Sequence, residues 1–141
     1  LLSVPLVIQA RPLENKAPGS AKPLVSLFPI SMISVLTNPD QYRGKRCRIQ
    51  GFLHLQFEDN RLYFSKEFAD YLSSENSIYV TLDKNVNLQP SFRIPTIANA
   101  YGKLDPQYFN EKVVVLEGTF DDTLKLHVSR IVEMVHYKEL K

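Results

Sequence analysis

A mainly β chain with short helices, closing five strands into one barrel, is the fold class this sequence predicts. Three observations predict it. Apolar and polar residues alternate over several runs, which is the period of a strand. Two of those runs are entered in the same way and carry a glycine at the same place. Polar turns separate most runs, and one long connection divides three early strands from two late ones. The chain has 141 residues, 44% of them hydrophobic, which is enough for one packed core.

The elements follow in order. The opening "LLSVPLVIQA" is apolar and reads as an arm packed on the body, the alternative being the remnant of a signal-peptide core. Ten residues are too few to span a bilayer. Residues 11–23, "RPLENKAPGSAKP", have the composition of an extended linker. Residues 1–24 are therefore set apart as arm and linker, and 25–141 as the barrel domain. A short helix is expected after Ser31, its N-cap, with Met32, Ile33, Val35 and Leu36 facing inward. Pro39 ends it, because proline disfavours helical backbone at the residue before it.

From Cys47 the period becomes two. Cys47, Ile49, Gly51, Leu53, Leu55 and Phe57 share one parity, while Arg46, Arg48, Gln50, Phe52, His54 and Gln56 share the other. This is a half-buried first strand with one wet face. The turn at 58–60 returns the chain as a second strand over 61–65. Ser65 then caps a helix of one or two turns, with Phe68, Tyr71 and Leu72 as its inner side. "SIYVTLD" is the third strand. Residues 84–103 show no clean period and read as a long connection, a functional candidate by its length. Residues 113–120 are the fourth strand and 124–135 the fifth. The apolar parity of the fifth changes between Val128 and Ile131, which predicts a bulge near Ser129 and Arg130.

The echo ties these elements together. Pro39, Tyr42, Lys45 and Gly51 recur as Pro106, Phe109, Lys112 and Gly118. In each copy the aromatic is expected to plug an end of the barrel, and the glycine to let the strand coil or approach another backbone closely. Three strands, a crossover and a hairpin make the five-stranded OB-fold-like closed barrel. The stretch from Ser34 to Tyr71 also resembles a family of small, mostly uncharacterised bacterial proteins. Their shared pattern is a helix, P-x-x-Y-x-G-K, a strand ending G-F, an acidic turn and L-Y. Pro39, Tyr42, Gly44, Lys45, Gly51, Phe52, Leu62 and Tyr63 carry it here, and "EGTF" extends it. The lead-in is similar to that of OB-fold domains related to the anticodon-binding type. The resemblance implies a fold and brings no catalytic residues.

The chemistry is sparse. No phosphate-cradling glycine loop, CxxC or HExxH occurs, and no cofactor is expected. Cys47, the one cysteine, reads as a small buried apolar side chain. Without a disulfide the chain suits the cytoplasm, or the periplasm if the first residues are a leader remnant. His54 and His127 lie on separate expected strands and would have to meet across the barrel to share a metal, whereas lone strand histidines are usually surface or packing residues. The carboxylates at 58–59 and 121–122 are explained by turns. The expectation is therefore a protein that is not an enzyme. The favoured function is a module that binds a protein partner, of immunity, inhibitor or accessory type and with a toxin among the candidate partners. The alternative is a single-stranded nucleic-acid binder, using cations and rings on the face of strand one: Arg46, Arg48, Phe52, His54 and, on the partner strand, Tyr63. Seventeen basic against fifteen acidic residues weigh against that alternative.

Overall fold

The computed structural model describes residues 29–91 and 104–135. The protein is mainly β, with six strands in one sheet and a few short helices. The strands are β1 (Pro29–Ile30), β2 (Arg46–His54), β3 (Arg61–Tyr63), β4 (Ser77–Gln89), β5 (Lys112–Phe120) and β6 (Leu126–Glu133). The helices are α1 (Met32–Thr37) and α2 (Lys66–Asp70). Five strands pair in a ring, β2 with β3, β3 with β4, β4 with β6, β6 with β5, and β5 back to β2. Only β4 and β6 run parallel within it.

The count is six rather than the expected five, because β1 lies parallel to β2 at Arg48 and Ile49. Two residues carry no period, so no pattern announced it. The expected third strand is also too short. β4 continues through 84–89, which were assigned to the connection, because Asn87, Leu88 and Gln89 pair with Arg130, Ile131 and Val132 of β6. The arm, the linker, residues 92–103 and His136 lie outside the described residues.

α1 forms as expected at its start, where the Ser31 hydroxyl accepts the Ile33 N–H at 3.2 Å. Its inner side is narrower. Met32 and Val35 are buried, whereas Ile33 points to solvent. α2 ends before Tyr71 and Leu72, which are both exposed, and its buried residue is Ala69.

The echo is a local two-fold relation between β2 and β5. Pro39–Tyr42 and Pro106–Phe109 are both single 3₁₀ turns with proline at the start, where its missing N–H costs nothing. Each then crosses a residue in the left-handed region, Gly44 at φ 71° and Glu111 at φ 61°. Gly44 N–H donates to the Phe120 carbonyl at 2.9 Å, and Glu111 N–H donates to the Leu53 carbonyl at 2.8 Å. The two strands run antiparallel between these clasps, with Cys47 opposite Gly118 and Gly51 opposite Val114. Phe109 is fully buried, and Tyr42 packs its ring 6.5 Å from that of Phe120.

The inward rows of all five ring strands form one core, to which Leu53, Leu62, Val80, Leu116 and Val128 each contribute. Cys47 belongs to it, and burial pushes its thiol up to about 11. Both mid-strand glycines serve close approach. A Cβ on Gly51 would stand 2.6 Å from Leu62 Cγ, and one on Gly118 would collide with the His127 carbonyl of β6. Ser129 is the extra residue of the expected bulge, since Gly118 pairs with Val128 and Glu117 with Arg130.

These two kinds of glycine predict different costs. Gly44 has open space around it, so Gly44→Ala should cost only the left-handed backbone term, about 1–2 kcal/mol. Gly118→Ala must push two paired strands apart and should cost about 3 kcal/mol or more. Urea unfolding of both variants checks the order, and equal losses would overturn the close-approach account.

Candidate functional site

The outer face of β2 was expected to be wet along its length. It is wet only at its first half. Arg46 is exposed and Arg48 keeps 42% of its side chain in solvent. Phe52 and Tyr63, opposite each other across β2 and β3, are buried at 4% and 1% exposure. The correction has a simple cause. α2 folds back over that end of the sheet, and the small side chain of Ala69 lets it lie against both rings, with Phe68 beside them. Burial also raises the Tyr63 phenol, with Arg61 opposing. Neither ring offers a face for a base to stack on.

His54 ends β2 and is held on all sides. Its Nδ1 lies 2.5 Å from Glu111 Oε1, its Nε2 lies 3.3 Å from Gln56 Oε1, and its edge meets Tyr63 at 6.1 Å between centroids. Glu111 therefore combines the left-handed turn with a clasp on β2. His127 pairs separately, its Nε2 lying 2.8 Å from Asp121 Oδ2. That bond and the stronger one from the Thr123 hydroxyl hold the Asp121 carboxyl well below the usual carboxylate range. The two histidines thus have different partners, and no metal-binding cluster occurs among the described residues.

Three groups that the sequence reading passed over sit beside Arg48. In register across the sheet, Arg48 on β2 faces Glu117 on β5, which faces Arg130 on β6. Arg130 Nη1 holds both Glu117 oxygens, at 3.1 and 3.3 Å, and its Nη2 donates to Gln89 Oε1 on β4 at 2.6 Å. Arg48 reaches the same carboxylate only at 3.8 Å, through Nε. Glu117 is nearly buried, so its charge requires a partner, and Arg130 is the nearer one. Arg48 is half-exposed and sits farther off, so its share in holding that charge is the smaller one.

Next to this row the outer face turns apolar and a groove of about 880 Å³ opens. Val113 and Val115 form its floor together with Phe52 and Gln50, while Met134 and Phe64 stand at its sides. Arg48 lines one end, and Lys66 and Glu67, at the start of α2, line another part. Lys66 is committed to Asp70 at 2.7 Å. The run Val113-Val114-Val115-Leu116 was the available signal. A strand apolar at consecutive positions has two apolar faces, and only one of them can face the core.

A second, smaller hollow of about 400 Å³ is bordered by Tyr79, Thr81, Glu58 and Lys125. The Arg61 guanidinium lies 3.7 Å from the centre of the Tyr79 ring nearby, and Phe57 is 89% exposed in the turn. No family model matches the chain, and no curated protein or solved structure matches it significantly. The resemblance carried by Pro39, Tyr42, Gly44, Lys45, Gly51, Phe52, Leu62 and Tyr63, with its extension at 117–120, therefore rests on those residues alone. No helix among the described residues is long and apolar enough to cross a membrane.

The division of the face into sealed and open halves is measurable. Phe52→Ala should cost about 3–5 kcal/mol, as for a buried ring. Arg46→Ala should stay within about 0.5 kcal/mol, as for a free surface residue. Denaturant titration of each variant reads both values, and a Phe52→Ala chain as stable as its parent would overturn the burial.

Proposed function

We propose that this chain is a non-catalytic binding module that recognises a protein partner, docking an apolar segment of it in the groove over β2 and β5. One observation carries the reading. Val113, Phe64 and Met134 line the same groove and keep 44%, 44% and 41% of their surfaces in solvent. Single exposed apolar residues need no explanation, but a contiguous set edged by charges is what a recognition surface presents. We infer further that the ring of strands is an OB-fold-like closed barrel, the scaffold expected from the sequence. The unbroken cycle of pairings and the glycines at 51 and 118 support it. A barrel of this kind fixes its outer face rigidly, so a docked segment meets little reorganisation.

A single-stranded nucleic-acid reading is favoured by a different place, the Tyr79 ring with Arg61 stacked on it and Phe57 beyond. Its charge is offset, since Asp59 lies 2.8 Å from Arg61 and Glu58 borders the hollow. Oligonucleotide binding that falls steeply with salt and is lost in Tyr79→Ala would establish this reading and displace the first.

Random peptides displayed on phage and selected on the intact chain test the docking reading. Enriched peptides should lose at least tenfold in affinity for the double variant Val113→Ser, Met134→Ser, whose thermal midpoint should stay near the parent's because both side chains are exposed. Failure to enrich, or peptides indifferent to the substitutions, would overturn it. So would a dimer that the same variant dissociates, which would give the groove to a second copy. Competition by a synthetic peptide of residues 1–28 would give it to the chain itself and overturn it equally.

A further inference from the structure

We propose that Arg48 reads a carboxylate on the docked segment, so that the partner presents an acidic side chain beside the apolar residues that cover Val113 and Met134. This rests on the docking reading above and adds the chemistry of one end of the groove. Positive charge on the outer face exceeds the carboxylate available to it. Arg48 and Arg130 share one carboxylate, Glu117, and so leave one positive charge over. Glu117 is committed to Arg130 by two contacts at 3.1 and 3.3 Å. Arg130 is committed in turn to Gln89 at 2.6 Å, so both of its terminal nitrogens are already engaged within the sheet. The surplus therefore resides on Arg48. Its Nε lies 3.8 Å from Glu117, beyond hydrogen-bond distance, and no hydrogen bond of its Nη atoms occurs among the described residues. The Nη edge of such a half-exposed guanidinium is a two-pronged donor, the geometry that a carboxylate accepts.

The rest of the groove sets the direction. Across from Arg48, α2 carries Glu67 and the Lys66–Asp70 pair, which together hold one negative charge more than positive. An acidic side chain is drawn to the Arg48 end and repelled from the α2 end. Arg46, two residues earlier on the same outer face and exposed, adds to the attraction. The apolar floor lies between the two ends, so the segment has one orientation in which both its charge and its apolar side chains are satisfied.

Isothermal titration of the peptides selected on the intact chain tests this. Those sensitive to the Val113→Ser, Met134→Ser change should carry Asp or Glu, and Asn or Gln in its place should weaken them about 10- to 100-fold, the loss of one charge-assisted bond. Arg48→Met should weaken the acidic peptide by the same factor and leave the amide version unchanged, with Arg48→Lys recovering part of the loss. Thermal unfolding of Arg48→Met should match the parent, because Glu117 keeps Arg130. Peptides that need Val113 and Met134 but bind Arg48→Met as well as the parent would overturn the carboxylate reading and leave the docking reading standing. If no peptide needs Val113 and Met134, both are overturned.

Discussion

No methyl group fits at residue 118, and much of the outer face follows from that. The His127 carbonyl of β6 occupies the place a side chain would take. The close approach sits next to the bulge at Ser129, whose hydroxyl donates to the Glu117 carbonyl at 3.2 Å. The extra residue reverses the parity of β6, so that Val128 and Ile131 both reach the core although they are three positions apart, an odd spacing. It also turns Arg130 outward. Without the bulge Arg130 would share the inward parity of Leu126 and Val128, and the nearly buried Glu117 would lose its nearer cation. The ion row and the core therefore depend on one small residue in β5.

The outer face is divided by what covers it. At the β3 end α2 seals Phe52 and Tyr63 against the sheet, so rings on the solvent parity became a second small core. At the β6 end the described residues leave Val113 and Met134 in solvent. Phe52 and Val113 are neighbours across the sheet, and four residues away along β2 and β5 the same face carries the Arg48–Glu117–Arg130 row. A single sheet surface thus holds a closed apolar region, an open one and an ionic one, in that order of decreasing hydrophobicity. Recognition surfaces need the last two side by side, the apolar part for affinity and the ionic part for orientation.

The parts legible in the sequence were those set by local pattern. Alternation located β2 and β6, the parity change located the bulge near Ser129, and the matched Pro, aromatic, Lys and Gly located β5 as a second strand entered like β2. The missed parts are set by tertiary contact. β1 is two residues long and exists because β2 offers it an edge. The second half of β4, "KNVNLQ", is polar and reads as loop, and β6 makes it a strand. Alternation states which residues of β2 point outward, but not that a helix will cover two of them. The residue that permits the cover is Ala69, whose small size gives no periodic signal. Glu111 was similarly hidden, because its place in the pattern, occupied by glycine in the first copy, gave no reason to expect a side chain clasping His54.

The two-fold clasp also bears on how the molecule is made. Every rung of the β2–β5 ladder, from Arg46 with Thr119 to Leu53 with Lys112, closes a loop of about sixty to seventy residues. A strand this central finds its main neighbour only after β3, β4 and the connection that follows them have been made. Until then Cys47, Ile49 and Leu53 wait with one edge unpaired, in a chain whose early local pairing is the short contact between β2 and β3. Closure of the ring therefore waits for β5, however early β2 is made.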